Sequence, residues 1–154
     1  MRNLYHARDL RKGCHSFTGQ IYLVTTVTHR RQPLLDDLYT GRHIVTALCT
    51  SDREGSTRTL AFVVMLDHLH WLFELGGCKP LSQVVADVKR RSAWRINEVA
   101  GHIGRPVWQR GFHDRALRRE ESIRDAARYI VANPLRAGLV RTIGDYSLWD
   151  AMWL

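Results

Sequence analysis

"TLAFVVMLDHLHWLFEL" (59–75) contains two apolar runs that meet at a single acidic residue. The first, 59–66, is rich in β-branched residues and reads as a buried strand. The second, 68–75, sets His68, His70, Leu72 and Glu74 against Leu69, Trp71 and Phe73, and reads as another. Only Asp67 separates them, so a tight antiparallel hairpin or one bent strand is expected. Residues two apart in a strand project to the same side, so His68 and His70 share a face while Leu69 packs on the other. That is the geometry of a two-histidine metal platform. The plainer alternative is one core histidine bonded to backbone and one exposed. With 8 histidines in 154 residues, chance supplies roughly 0.4 such pairs, so partners elsewhere must give the pair meaning.

Working outward, "QIYLVTTVTHR" (20–30) is rich in β-branched and aromatic residues and predicts a strand. "DDLYTGRHIVTALCTS" (36–51) places Leu38, Ile44, Val45 and Leu48 at helical spacing behind two acids. Residues 53–58 read as a turn. Residues 81–101 form an amphipathic pattern ending at Gly101. Residues 105–118 read as a strand or ribbon. "EESIRDAARYIVAN" (120–133) predicts a second strong helix, opening on acids and a Ser122-x-x-Asp125 cap-like pair and stopping at Pro134. The order strand, helix, strand, strand, helix, strand, helix predicts an α+β fold: a ferredoxin-like antiparallel sheet with helices packed on it. We expect one domain over 1–154, with a basic arm at about 1–19 and a short aromatic tail at about 142–154.

Charge narrows the partner. There are 23 Lys+Arg against 15 Asp+Glu, a net charge of +8 and a pI near 10.0. All but Lys12, Lys79 and Lys89 are arginine, whose planar fork matches phosphate and stacks on bases. A polyanion is therefore favoured over a small neutral substrate. Cys14, Cys49 and Cys78 are far apart and form no C-x-x-C, which argues against a zinc knuckle or a disulfide framework. No apolar run reaches the length of a membrane span, and the first residues lack the apolar core of a signal peptide. A cytoplasmic, nucleoid-associated protein with no membrane partner is expected.

Three further sets could carry chemistry. Tyr129 and Asn133 are four apart and share a helical face, with Arg124 and Arg128 flanking the tyrosine and favouring its ionised form. The plainer reading packs that ring on the sheet. "VKRRSAWR" (88–95) gathers Lys89, Arg90, Arg91 and Arg95 around Trp94. "WQRGFHDRALRR" (108–119) interleaves Trp108, Phe112 and His113 with Arg110, Arg115, Arg118 and Arg119. Aromatics among cations suit single-stranded nucleic acid, where bases stack and phosphates pair. A solvated helix face with buried Trp anchors would give the same pattern.

Four segments, in order, carry a resemblance: "YLVTTVTHRRQPLL" (22–35), "FVVMLDHLHWLFEL" (62–75), "WQRGFHDRALR" (108–118) and "ARYIVANPLRAGLV" (127–140). Together they resemble the REP-associated tyrosine transposases of bacteria, a group of single-tyrosine HUH transposases. Leu66 departs from the pattern, where the family often has Pro. The resemblance implies an HUH-endonuclease type of fold and metal-dependent nicking and joining of single-stranded DNA. It implies that His68, His70 and Asn133 hold Mg2+ or Mn2+, and that Tyr129 attacks to leave a 5′-phosphotyrosine. It implies single-stranded or hairpin DNA with REP-like palindromes as partner, and a monomer acting in cis. Arg8, Arg11, Lys12, Lys89, Arg90, Arg91, Trp94, Arg95, Arg110, Arg115 and Arg118 are the expected DNA contacts. The competing expectation is a non-catalytic single-strand or hairpin nucleic-acid-binding protein, stacking bases on sheet aromatics such as Trp71 and Phe73.

Overall fold

The computed structural model describes residues 18–153, so Arg8, Arg11, Lys12 and most of the basic arm lie outside the described residues. The elements are β1 (Ile21–Val27), α1 (Leu38–Arg53), β2 (Thr57–Val64), β3 (His68–Leu75), α2 (Leu81–Ala100), β4 (His113–Leu117), α3 (Glu120–Val131), a one-turn α4 (Asn133–Arg136) and β5 (Trp149–Ala151). They build a five-stranded sheet in the order β4-β1-β3-β2-β5, antiparallel at every pairing. The first four strands with α1 and α2 are the ferredoxin-like βαββαβ unit. β5 extends the β2 edge, where the Tyr146 hydroxyl donates to the Val64 carbonyl at 2.6 Å.

The opening stretch forms a hairpin, not a bent strand. The Met65 amide donates to the His68 carbonyl at 2.8 Å, which leaves Leu66 and Asp67 as the loop. Both loop carbonyls are used: Leu35 N–H donates to Leu66 at 3.0 Å and Thr28 N–H to Asp67 at 2.9 Å. The turn is thereby tied to the end of β1 and to the lead-in of α1.

Alternation along β3 sorts the core into two layers. Leu69, Trp71, Phe73 and Leu75 pack with Tyr22, Val24, Phe62 and Val64 under apolar residues of α1 and α2. Leu72 packs with Leu60, Ala61, Val63 and Met65 under Ile123, Ala127 and Ile130 of α3. Hence α1 and α2 cover one face of the sheet and α3 covers the other. His68 and His70, in phase with Leu72, stand on the α3 face.

Three local expectations change. The strand over 105–118 is real only at 113–117; Trp108 makes one isolated bridge to Thr28 and its indole donates to Ser92 Oγ at 3.0 Å, so its hydrophobicity reflects anchoring to α2. α3 starts from Arg119 with no side-chain cap, so the Ser122/Asp125 pair is not its cap. Finally, Pro134 does not end the helical path. α3 stops at Val131, and α4 begins two residues later with Pro134 in its first turn, a position where its missing N–H costs nothing. α2 does end at Gly101 as expected, with φ 69°, a conformation that favours glycine.

Candidate active site

His68 and His70 stand side by side, ring centroids 4.8 Å apart and nearly perpendicular. Both are half-buried. His68 Nδ1 lies 2.6 Å from Asp67 Oδ1; a carboxylate only accepts, so Nδ1 carries a proton and donates it. His70 Nδ1 shares a 2.8 Å hydrogen bond with Thr25 Oγ1, its register partner on β1. Burial first, then His68 and the Arg136 charge, push the His70 imidazole down to about 4. At neutral pH it is therefore uncharged and able to ligate. Both imidazoles are oriented through Nδ1, and among the described residues neither Nε2 has a hydrogen-bond partner, as in metal-binding histidines held from behind.

Tyr129 rides on α3, which packs over the histidine face through Ala127 and Ile130; its own ring is 62% exposed. The flanking arginines are engaged elsewhere. Arg124 pairs with Glu120 at 3.2 Å and Arg128 with Asp125 at 3.6 Å. The cation at the tyrosine is Arg136, whose guanidinium carbon sits 3.9 Å from the ring centroid. Arg136 Nη2 also donates to the Tyr129 carbonyl at 2.6 Å and to Asn133 Oδ1 at 2.7 Å. Asn133 Nδ2 donates to the Ile130 carbonyl at 3.0 Å.

Thus the structure assembles two pairs, His68 with His70 and Tyr129 with Asn133, and Arg136 relates them. Among the described residues neither imidazole meets Tyr129 or Asn133 through a hydrogen bond or ring contact. No cluster of three or more His, Cys, Asp or Glu is placed to hold an ion there. The donor set fits a weakly held, borderline cation: two imidazoles stand together, and the Asn133 amide oxygen is engaged by Arg136. Asp67, Thr25 and Arg136 were not singled out from sequence. The spacing of Arg136, three after Asn133 and seven after Tyr129, was the available signal.

The start of the second basic patch, at 108–112, packs against α2, which carries the first, and only its β4 residues turn to the histidine side. Residues 88–95 belong to α2. There Arg91 pairs with Glu54 at 2.6 Å, Arg90 with Asp87 at 3.2 Å, and Arg95 with Glu98. Lys89 Nζ donates to the Gln109 and Gly111 carbonyls at 2.6 and 2.7 Å, bracing the loop before β4. Trp94 is exposed beside a groove of about 900 Å³ between α1 and α2, with Tyr39 and Arg42 opposite. On β4, Arg115 pairs across the sheet with Leu23, and His113 pairs with Thr25, so both project on the histidine side. Arg110, Arg115 and Arg118 are exposed and have no ion-pair partner among the described residues. Trp71 and Phe73 are sealed inside, 1% and 0% exposed, so the sheet offers no aromatic stacking platform.

No helix among the described residues is long and apolar enough to cross a membrane. The family of IS200-like transposases matches residues 16–133. The fold resembles that of a REP-associated tyrosine transposase solved with a REP hairpin, at a TM-score of 0.72, with 22% identity over 88% of this chain and 79% of the other. It also resembles a protein of Deinococcus radiodurans R1 described as a transposase, at a TM-score of 0.56, with 18% identity over 77% of this chain and 95% of the other. No curated protein matches.

Proposed function

The chain belongs to the IS200-like transposase family, and on that premise we propose that it nicks and rejoins single-stranded DNA through Tyr129. The observation that carries this reading is the pair of imidazoles, neither Nε2 partnered among the described residues, on the sheet face that the tyrosine-bearing helix covers. Its family membership and its fold support a role in DNA transposition.

In this reading His68 and His70 hold a divalent cation, Mg2+ or Mn2+. Nitrogen ligands favour Mn2+ over Mg2+ at such a site. Asn133 is the third protein ligand, and its amide oxygen would have to leave Arg136 to serve. Bound there, the cation would polarise the scissile phosphate and oppose its developing charge. The Tyr129 phenol gives up its proton to solvent as its oxygen forms a bond to phosphorus, and the bond from phosphorus to the 3′ oxygen breaks. The 5′ end stays esterified to Tyr129, and the departing 3′ oxygen takes up a proton through solvent. Nothing is oxidised, and the ester keeps the bond energy for rejoining.

The DNA partner in this reading is a palindromic hairpin with single-stranded flanks, met by one monomer that uses its tyrosine in cis. Arg110, Arg115 and Arg118 are phosphate contacts, with Arg115 on the histidine side. Arg90, Arg91, Arg95 and Trp94 offer a second surface, Lys89 bracing the loop between them, and Arg8, Arg11 and Lys12 are contacts in the arm. Incubation with a labelled palindromic hairpin and Mn2+, followed by a denaturing gel with and without protease, tests the reading. The expected product is a protease-sensitive shifted band that Tyr129→Phe and chelator both remove. An uncut hairpin sinks the nicking function, and cutting by Tyr129→Phe sinks the nucleophile. Buried Trp71 and Phe73 count against the non-catalytic alternative, which would bind regardless of chelator with a salt slope of about −0.7 per phosphate neutralised.

A further inference from the structure

Arg136 commits only one nitrogen of its guanidinium. Both of its hydrogen bonds, to the Tyr129 carbonyl and to Asn133 Oδ1, leave from Nη2. Nε and Nη1 carry the other N–H groups of the fork, and they have no partner among the described residues. The side chain is exposed, so a ligand can approach it from solvent. No carboxylate pairs with it, whereas Arg124 and Arg128 on the neighbouring helix are each engaged by an acid of their own helix. The cation stacks on the ring of the tyrosine, and its charge is felt at His70. It is therefore a positive group stacked on the tyrosine, with a charge that reaches His70.

Nη1, with both of its N–H groups free, can donate charge-assisted hydrogen bonds to the oxygens of a phosphodiester. The committed Nη2 matters as much as the free Nη1. By holding the Tyr129 carbonyl and the Asn133 amide, it fixes the guanidinium plane, so little rotamer freedom is lost when an anion arrives. Pro134, in the first turn of α4, pre-sets the backbone that presents Arg136.

We propose that Arg136 is a catalytic residue that grips the scissile phosphate: its Nη2 holds the tyrosine helix, and its Nη1 donates to the non-bridging oxygens of the phosphate attacked by Tyr129. This rests on the nicking reading above. The alternative is that Arg136 only staples α3 to α4, and the two roles separate experimentally.

The nick is first mapped with the wild-type protein and Mn2+ on a palindromic hairpin oligonucleotide with single-stranded flanks. A wild type that makes no nick refutes the reading and this proposal together. With the nick mapped, binding is measured in chelator, in a Tyr129→Phe background that retains a ring for the cation. Two oligonucleotides are compared, one all-phosphate and one with a neutral methylphosphonate at the mapped bond. Chelator removes any contribution of a cation, so the phosphate can be held only by side chains. The methylphosphonate should weaken binding about tenfold when Arg136 is present and less than twofold in Arg136→Gln. Nicking of the all-phosphate hairpin should fall roughly 100-fold in Arg136→Gln and recover partly in Arg136→Lys, which keeps charge without the fork. If glutamine unfolds the α3–α4 turn, Arg136→Lys carries the same comparison, with the methylphosphonate penalty at least halved. Equal penalties with and without the arginine, or wild-type nicking by Arg136→Gln, overturn the proposal and leave only the staple.

Discussion

Asp67 Oδ1 receives the Nδ1 proton of its sequence neighbour His68 at 2.6 Å. The same carboxylate, through Oδ2, lies 3.5 Å from the Arg31 guanidinium, and the Asp67 carbonyl is held by Thr28. One loop residue thus fixes a tautomer, a ring orientation and a turn. Asp67→Asn should keep the turn, because the carbonyl contacts remain. It should also weaken Mn2+ binding about 10- to 100-fold, the usual effect of losing a partner behind a ligating histidine. Titration followed by electron paramagnetic resonance checks this; unchanged affinity would remove Asp67 from the site.

Tyr129→Phe should abolish the protease-sensitive DNA adduct while leaving the fold intact. The hydroxyl makes no hydrogen bond among the described residues, and the ring is mostly in solvent. Changes at such surface positions usually stay within about 0.5 kcal/mol. A urea midpoint that moves by more than this equivalent would show that the hydroxyl has a structural role.

Arg30 and Arg31 adopt φ values of 54° and 52° in the tight turn after β1. Left-handed backbone costs an ordinary L-residue about 1–2 kcal/mol, and glycine avoids that cost. Arg30→Gly should therefore leave stability unchanged or raise it by up to ~1 kcal/mol, after the entropy of a more flexible unfolded chain is subtracted. Arg30→Val should lower it by about 1–2 kcal/mol. Chemical denaturation of the two variants decides, and equal stabilities would contradict the strain.

Asp87 is buried on α2. It accepts from Lys79 Nζ at 2.7 Å and Gln83 Nε2 at 3.0 Å. The Lys79 hydrogen bond, supported by Gln83 and the Lys79 and Arg90 charges, holds its carboxyl below the usual value against the opposing effect of burial. The folded state therefore binds its proton less readily than the unfolded chain does. Its contribution is complete above the unfolded value near pH 4 and is lost as pH falls through the lower folded value. Urea midpoints measured from pH 7 to pH 3 should decline in wild type. Asp87→Asn should start about 1–2 kcal/mol lower and decline less steeply.

The histidine face was legible because strand period, turn length and the Asp67 break all act within seventeen residues. The α+β order was legible for the same reason: helical and strand periods alternate cleanly from β1 to α3. Arg136 was not legible as part of the site, because its role depends on a new turn at Asn133 that Pro134 permits rather than forbids. The flanking arginines drew attention by proximity in sequence, yet acids one helical turn away engage them. Trp108 reads as strand-like through its neighbours, and only the tertiary contact with Ser92 shows that it is an anchor. Thr25 shares a register row with His70, a relation that a single strand's sequence cannot display.

β3 is bonded along both edges, to β1 and to β2, with Leu69, Trp71, Leu72 and Phe73 wholly enclosed. Amides in such a strand exchange with solvent deuterium only when much of the domain opens, whereas a one-turn helix at the surface exchanges through local fraying. The two halves of the proposed chemistry therefore sit in regions with different opening times. The imidazoles stand on a strand that should be among the last to open, and Asn133 and Arg136 stand on a turn that should open by local fraying. A substrate could re-seat that turn without disturbing the histidines, and deuterium uptake at residues 133–136 would register it while uptake at 68–75 stayed flat.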